Sequence, residues 1–314
     1  HNVGKRTDIT KYFNGYLCET VLVDGTALDP DSFGEFDAAS GIWKPIDVSG
    51  LTFGTNGFYL DYADAADLGD DESGNGNDYS ENNIDANSNS ATDTCTNNFC
   101  TFNPLFIVNN QPTITQGAMV LTGGGGTWNQ AYGSIGVSSG KWYYEVNVVD
   151  ASDSGYHGFS TSPAEGAYVN NAQFMYNTSL VIGEANSIDY YIWSGGSQTS
   201  NESTGWGTLS DNDILGFALD LDASTRTVTF YRNGTALSGT TANPVNLPTN
   251  MQTGFIFPLA VQYENNNDEF NFGGFTVHDI SSAATDENGY GTFEIAPPSG
   301  YYAICTQNLA LYGG

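Results

Sequence analysis

Alternation of apolar and polar residues with a period of two constrains this chain more than any other feature. From Thr113 to Tyr263, short alternating runs are separated by turn residues about every 8–15 positions. Period two sends successive side chains to opposite faces of a strand, whereas a helix needs a period of 3.6 residues, which does not occur here. The pattern therefore predicts antiparallel sheets joined by tight turns, as in a β-sandwich.

The predicted strands follow the best alternating runs. Asn233-Gly234 and Asp24-Gly25 are hairpin-turn signals, because both residue types tolerate positive φ. Aromatic residues make up 13% of the chain, which also favours strands. The runs lie at residues 16–23, 59–62, 141–148, 156–160, 187–194, 214–221, 227–232 and 256–263.

The composition changes sharply after Asp61. Sixteen of the 38 residues from Asp61 to Asn98 are Asp or Asn, and no Lys or Arg occurs between Lys44 and Lys141. Low hydrophobicity combined with charge of one sign is typical of connectors. We predict an Asx-rich acidic linker over residues 63–114, which lacks regular structure over most of 63–98.

The acidic balance of the chain excludes two classes of partner. A net charge of -29 and a pI near 4.1 oppose binding to nucleic acids and to anionic membrane surfaces. No apolar run approaches the roughly 18 residues that cross a bilayer. The charge either keeps the protein soluble or recruits Ca²⁺.

The acidic segment holds the candidate Ca²⁺ ligands. Their oxygen atoms suit this hard cation, but their spacing does not fit an EF-hand loop. The alternative is a solvated turn capped by Asx side chains, and both interpretations stay open. The candidates are Asp67, Asp70, Asp71, Asn75 and Asp78.

Cysteine usage and catalytic chemistry are both sparse. Cys95 and Cys100 flank a four-residue turn and predict a small disulfide loop, while Cys18 and Cys305 are expected as buried free thiols. No Glu-x-Asp-x-x-Glu motif of glucanases is present. His157 is predicted to pack in the fold rather than to bind a metal. We therefore expect no enzyme and no certain cofactor.

Three blocks occur in the order found in the SPRY family. Residues 139–146 (Ser-Gly-Lys-Trp-Tyr-Tyr-Glu-Val), 213–220 and 226–234 resemble successive SPRY strands, and 257–260 follows where the family has a Pro-containing strand. The resemblance covers about 115–273. It implies an all-β fold, an antiparallel two-sheet concanavalin A-like (SPRY) β-sandwich, whose members bind ligands and do not catalyse.

The flanking segments carry a second resemblance. Residues 12–28 resemble the last strand of a LamG or concanavalin-like lectin domain, and 71–78 resembles the turn that opens such domains. Several short strings, including 298–309, resemble segments around SPRY-like modules of tailed-bacteriophage structural proteins. The resemblance implies a virion-surface or tail-fibre component.

These resemblances divide the chain into four parts. The end of a LamG-like module covers 1–62, the linker 63–114, the SPRY-like sandwich 115–275, and an irregular C-terminal extension 276–314. The chain begins at His1 rather than Met, which we interpret as processing or truncation of a longer protein.

Exposed aromatic side chains beside amides are the candidate ligand-binding residues. Tyr191 and Trp193 share a face by alternation, and Trp206 lies in a glycine-flanked loop. Gln198 and Asn201 supply amides. Core packing is the alternative for each aromatic residue, including the further candidates Trp128, Tyr132 and Tyr190.

The predicted function is a non-enzymatic binding module of a virus particle, acting extracellularly in host adhesion or virion decoration. Its expected partners are a neutral host glycan, a basic patch on a host protein, or neighbouring virion proteins in an oligomeric assembly. A passive structural subunit and a polysaccharide depolymerase are the alternatives. A depolymerase needs converging carboxylates in a cleft, whereas an adhesin needs an aromatic surface.

Overall fold

A computed structural model describes residues 2–5, 13, 17–36, 43–64, 67–84, 93–94, 97–105, 112–161, 177–183 and 187–313. The chain forms two compact units, His1–Ala86 and Asn87–Gly314. In the described part of the chain, no helix is long and apolar enough to cross a membrane.

The first unit contains two short antiparallel strand pairs. Strand β1 pairs with β4, not with the segment after Asp24-Gly25, so the predicted hairpin at that turn is wrong. Phe53 and Tyr59 stack with ring centroids 6.2 Å apart and lead a small core. The strands are β1 (Thr20–Leu22), β2 (Gly34–Phe36), β3 (Trp43–Pro45) and β4 (Phe58–Leu60), with a 3-10 turn at Pro30–Ser32.

Residues 67–84 belong to this first unit, although the sequence analysis assigned them to a linker. They form turns without a strand or helix among the described residues. The Tyr79 amide donates to the Gly69 carbonyl, 2.8 Å away, and the Tyr79 ring meets Phe58 edge-on at 5.0 Å. The first compact unit therefore extends past residue 62 and includes residues 67–84.

The second unit is the predicted antiparallel sandwich, and its fold class is confirmed. One sheet has six strands in the order β12-β11-β10-β9-β17-β7. Its members are β7 (Trp128–Tyr132), β9 (Gly155–Thr161), β10 (Ser179–Gly183), β11 (Asp189–Ser194), β12 (Ser197–Glu202) and β17 (Ile256–Tyr263).

The other sheet has nine strands, with β15-β14-β13-β8-β18-β6-β5 as its main path. Strand β16 joins β14, and β19 runs parallel to β8. The members are β5 (Thr113–Thr115), β6 (Val120–Thr122), β8 (Lys141–Asn147), β13 (Ile214–Asp220), β14 (Thr227–Arg232), β15 (Thr235–Ala236), β16 (Val245–Asn246), β18 (Glu269–Asn271) and β19 (Tyr302–Ala303).

Alternation along these strands builds the core between the sheets. In β8, Trp142, Tyr144 and Val146 point inward, while Tyr143 and Glu145 point outward. Asn233 and Gly234 have φ of 48° and 78°, so the predicted turn forms between β14 and β15. Helical structure inside the sandwich is limited to a 3-10 turn, Thr249–Met251, within the described ranges.

The C-terminal residues pack on the outer face of the nine-stranded sheet and complete it. The Phe293 ring is fully buried and lies edge-on to Tyr143 at 5.4 Å. Strand β19 extends the sheet beside β8, and helix α1 (Thr306–Tyr312) follows it. The predicted C-terminal extension is therefore an integral part of the second unit.

The cysteines differ from the prediction. Cys100 is a free thiol, 1% exposed, so the expected disulfide with Cys95 is not formed; Cys95 itself lies outside the described residues. The Cys100 sulfur lies 3.9 Å from the Ser134 hydroxyl oxygen, and burial raises the pKa of the thiol to about 11. Cys305 is a buried free thiol as expected, but Cys18 is exposed.

Buried polar pairs hold the sandwich as well as apolar contacts. His157 and Asp268 are both fully buried, with Nε2 and Oδ2 3.0 Å apart. His157 therefore packs inside the fold, as the sequence analysis predicts. Lys141 pairs with Asp220 at 3.0 Å, and Asp222 accepts a hydrogen bond from the Gly140 amide, so both of these Asp residues are structural.

Candidate functional site

Four of the five predicted ligand-binding residues lie together on the edge hairpin of the six-stranded sheet. Trp193 in β11 is opposite Gln198 in β12, and Tyr191 is opposite Asn201. Directly opposed residues in an antiparallel pair share a face. The amides are exposed and the two rings are partly exposed. The hairpin is therefore a polar and aromatic surface, although its aromatic residues lie on a strand rather than on a loop.

Trp206 does not belong to this surface, so its assignment as a surface residue is corrected. Only 5% of it is exposed, and its ring lies 5.7 Å from Phe230 and 6.2 Å from Tyr190. Its indole Nε1 donates to the Thr241 carbonyl at 3.4 Å. Thr204 and Gly205 turn the loop inward, so the indole fills the core between the sheets.

An aromatic strip continues from the hairpin across the outer face of the sheet. We define it as Tyr191, Tyr156, Trp128 and Tyr263. Successive centroids are 5.0 Å apart for Tyr191 and Tyr156, 5.0 Å for Tyr156 and Trp128, and 4.8 Å for Trp128 and Tyr263. All four rings are partly exposed. The strip therefore crosses strands β11, β9, β7 and β17 as one continuous aromatic surface.

A glycine makes room for the first two rings. Gly183 in β10 lies between the strands that carry Tyr191 and Tyr156. A Cβ atom at this position would lie 2.8 Å from Tyr191 Cε2 and 3.1 Å from Tyr156 Cε1. The absence of a side chain lets the two rings meet edge to face.

The hydroxyl groups of Tyr156 and Tyr191 stay protonated at neutral pH. Burial, and then the charge of Tyr191, raises the pKa of Tyr156 to about 12. Burial followed by the charge of Asp189 raises the pKa of Tyr191. Both phenols can therefore donate hydrogen bonds to a ligand that covers the rings.

Most of the strip is not apparent from the sequence. Trp128 is only one of several predicted candidates, and Tyr156 and Tyr263 are not among them. Both lie in predicted strands, and alternation alone can assign each to a face. The cross-strand register, which sequence does not give, brings them together.

The predicted Ca²⁺ ligands in the first unit serve the backbone instead. The Asp71 carboxylate accepts hydrogen bonds from the amides of Tyr59, Ser73 and Asn77 at 2.8–3.0 Å. Burial alone would raise the pKa of Asp71, but these hydrogen bonds lower it. Asp78 accepts a bond from the Asp71 amide at 3.2 Å. This arrangement favours the alternative of Asx-capped turns.

The remaining candidate ligands behave similarly. Asp67 accepts a hydrogen bond from the Gly69 amide at 3.1 Å, and Asn75 donates to the carbonyls of Gly54 and Gly57. Asp70 lies in the same turn region. Within the described ranges, no three His, Cys, Asp or Glu side chains are grouped as metal ligands.

A cleft of about 480 Å³ lies on the outer face of the nine-stranded sheet. Its floor is the cross-strand row Ile214, Asn147 and Glu269, and its wall includes His278, Asp279 and Glu294. The Asn147 amide donates to Glu269 at 2.8 Å.

The two glutamates of this cleft have opposite pKa shifts. Burial, and then the charges of Asp268 and Asp279, raises the pKa of Glu269. Burial alone would raise the pKa of Glu294, but bonds from Ser281 and Ser282 and the charge of His278 lower it. Burial also lowers the pKa of His278.

A serine string near this sheet has the spacing of a hydrolase nucleophile motif. Residues 136–140 read Gly-Val-Ser-Ser-Gly. A nucleophile elbow joins a strand to a helix, whereas this string is a loop that leads into strand β8. The Ser138 carbonyl accepts from Arg226 at 2.5 Å, and the Ser139 carbonyl accepts from Trp142 at 2.6 Å. The string is therefore structural.

Comparison with known proteins identifies the central part of the second unit. Residues 141–275 match the family model of the SPRY domain. The match indicates a protein-interaction or binding module, of a kind that is generally non-catalytic. No curated protein matches the chain at a significant level.

Two solved structures are similar to the chain. The TRIM65 PSpry domain is 17% identical with a TM-score of 0.38, and the match covers 55% of this chain and 89% of that one. The SPRY domain of human HERC1 is 21% identical with a TM-score of 0.35, and the match covers 58% of this chain and 99% of that one.

Proposed function

We propose that the chain is a non-enzymatic binding module and that the aromatic strip, with the edge hairpin beside it, contacts the ligand. The observation that carries the proposal is the row of four partly exposed rings in mutual contact on one sheet face. Tyr and Trp offer a large contact area for a small loss of side-chain entropy. They are also the residue types that dominate binding energy at interfaces.

The hairpin adds orientation to this contact area. Gln198 and Asn201 are exposed and lie opposite Trp193 and Tyr191. Each amide has both donor and acceptor atoms, so it can fix the direction of a bound polar group. A rigid sheet carries these side chains, which keeps the spacing of their backbone positions constant on binding.

We further propose that this module acts on the outside of a virus particle, in host adhesion or decoration. The support is the resemblance of residues 33–37, 41–45, 56–60 and 298–309 to segments around SPRY-like modules of tailed-bacteriophage structural proteins. Antibodies against the chain should label intact particles in immunogold microscopy. Absence of label on intact particles, with label on disrupted ones, would place the chain inside the particle instead.

Binding by the strip is tested with arrays of immobilised oligosaccharides and peptides. The double variant W128A/Y191A removes a ring from each half of the strip and should lose most of the signal of any probe that the parent chain captures. Phe36→Ala is the matched control, because Phe36 is an aromatic residue that is 69% exposed and lies in the first unit. A captured probe that a folded W128A/Y191A still binds at full strength would refute the strip as the contact surface.

A second candidate function, polysaccharide depolymerisation, has one observation in its favour. The cleft places Glu269, with its raised pKa, on the same surface as Glu294, with its lowered pKa. Glycoside hydrolysis needs a protonated acid and an ionised carboxylate. If the cleft is catalytic, the parent chain should release reducing sugars from a host polysaccharide and E269Q should not.

A further inference from the structure

Carboxylates lie at both ends of the aromatic strip. At the first end, Asp189 lies two residues before Tyr191. Burial raises the pKa of the Tyr191 phenol, and the charge of Asp189 raises it further. At the other end, Glu264 directly follows Tyr263 and is exposed. The Tyr263 amide donates to the Ser154 carbonyl at 3.0 Å, which brings Asp153 to the same end.

The charges at the second end repel each other. Burial raises the pKa of Asp153, and the charges of Asp150, Asp268 and Glu264 raise it further. Carboxylates that repel each other in this way favour a cation beside them. The strip therefore ends in a region of concentrated negative charge.

The six strands of this sheet supply no Lys or Arg to this face. None occurs from residue 45 to 140, from 142 to 225 or after Arg232, so each of these six strands lacks both residue types. Lys141 and Arg232 pair with Asp220 and Asp213 at 3.0 and 2.8 Å. Arg226 donates to the backbone carbonyls of Ser138, Met251 and Gly254.

We infer that the ligand of the strip is a basic protein segment, whose Arg or Lys groups lie over Trp128 and Tyr156 and pair with Asp153 and Glu264. This inference rests on the proposed function and names the chemistry of its partner. A cation over an aromatic face is attracted by the ring, with Trp the strongest acceptor. The planar guanidinium of Arg can also stack on the ring while it donates to carboxylates.

A neutral glycan would use only part of this surface. Its apolar faces can stack on the rings and its hydroxyl groups can donate to the carboxylates, but it carries no positive charge to pair with them. An anionic glycan is repelled by the same carboxylates. A basic segment uses both the rings and the carboxylates, so charge complementarity favours it.

The test uses a dodecapeptide of alternating arginine and glycine as the probe. The matched peptide replaces arginine with citrulline, which keeps the planar shape and removes the charge. A neutral glucose hexasaccharide is the third probe. Calorimetric titration of the full chain should show binding of the arginine peptide, weaker binding at high salt, and no binding of the citrulline peptide.

Two variants then locate the binding. Trp128→Leu keeps apolar volume but removes the aromatic ring, and should weaken the affinity for the arginine peptide about fivefold. D153N/E264Q removes two charges with little change in shape and should weaken the affinity for the same peptide about tenfold. The control E72Q/D279N removes two exposed charges elsewhere and should leave affinity within about twofold. Melting curves show whether each variant is folded. If Trp128→Leu unfolds, D153N/E264Q still tests the inference.

Each contrary result has a distinct meaning. If the hexasaccharide binds in a Trp128-dependent manner and the arginine peptide does not, the basic partner is refuted while the strip remains a binding surface. If D153N/E264Q and E72Q/D279N weaken the affinity for the peptide equally, the peptide is attracted only by the net charge of the protein, and the inference fails. If none of the three probes binds, the inference is refuted, and the array experiment decides separately on the strip.

Discussion

On the nine-stranded sheet the outer face is covered by the chain's own C-terminal residues, whereas the outer face of the six-stranded sheet keeps a row of aromatic rings partly exposed. Small residues lie on the covered face: Ala218 clusters with Phe293 and Ala303, and Gly216 leaves room for the Tyr143 ring. The other face carries large rings with one glycine between them. Side-chain size therefore distinguishes a face that packs against its own chain from one that remains available to a partner.

A buried carboxylate shows how the covered face is held. Glu145 is fully buried and accepts hydrogen bonds from the amides of Glu294 and Ile295, at 3.0 and 2.8 Å. The Tyr143 hydroxyl and the Asn271 amide donate at 3.1 and 3.3 Å. A buried acceptor that lost these donors would be costly, so Glu145 fixes the position of the C-terminal residues.

The largest predicted effect is the loss of packing on the covered face. Phe293→Ala should lower the free energy of unfolding by about 3–5 kcal/mol, because it leaves a cavity beside Tyr143. Tyr191→Ala on the exposed face should cost no more than about 1 kcal/mol. Urea unfolding measures both. Similar losses for the two variants would mean that the two faces do not differ in packing.

The sequence predicts the difference between the faces only in part. Alternation in β8 assigns Tyr143 and Glu145 to the outer side. The predicted runs agree within a few residues with β8, β9, β11, β13, β14 and β17, whereas no run predicts β7, β10 or β12. Neither periodicity nor composition predicts that residues 293–303 return to cover that side. Parallel pairing of the two-residue strand β19 with β8 depends on long-range packing, which leaves no local pattern.

The residues of the candidate site are also only partly predictable from the sequence. Tyr191 and Trp193 were found because they alternate within one strand, whereas Trp206 was misassigned because a glycine-flanked loop is usually on the surface. Here Thr204 directs that loop inward. Tyr156 and Tyr263 were missed because strands 100 residues apart come together only through the sheet register.

The second predicted effect is the pH dependence of the covered face. Burial raises the pKa of Glu145 from 4.5 to about 7, against the opposing effect of its hydrogen-bond donors. Between pH about 4.5 and 7, the unfolded chain ionises this carboxyl while the folded chain keeps it protonated. The folded state therefore loses about 3 kcal/mol relative to the unfolded state as the pH rises through this window.

Glu145→Gln isolates this contribution, because Gln does not titrate. The free energy of unfolding of the parent chain minus that of E145Q should fall between pH 5 and 8, measured by urea unfolding at each pH. A difference that rises with pH would show that the four donors favour the ionised carboxylate more strongly than burial opposes it.

The smallest predicted effect separates the two faces most directly, because each has a glycine in the same steric situation. A Cβ atom at Gly216 would lie 2.8 Å from the Tyr143 hydroxyl oxygen and 3.1 Å from its Cε2, almost the same distances as those from Gly183 to Tyr191 and Tyr156. Tyr143 is buried and bonded to Glu145, so it cannot move aside. Gly216→Ala should therefore cost about 1–3 kcal/mol through overpacking.

At Gly183 the rings are partly exposed and can turn towards solvent. Gly183→Ala loses the edge-to-face pair, worth about 0.5–1.5 kcal/mol, but gains about 0.4–1 kcal/mol by restricting the unfolded chain. The net change in the free energy of unfolding should stay below about 1 kcal/mol, while near-ultraviolet circular dichroism reports the separation of the tyrosines. Because the two substitutions are chemically identical, any difference between them measures how freely each face can rearrange. Equal costs for the two variants would show that the strip is as tightly held as the covered face, and that a ligand meets a fixed surface rather than an adaptable one.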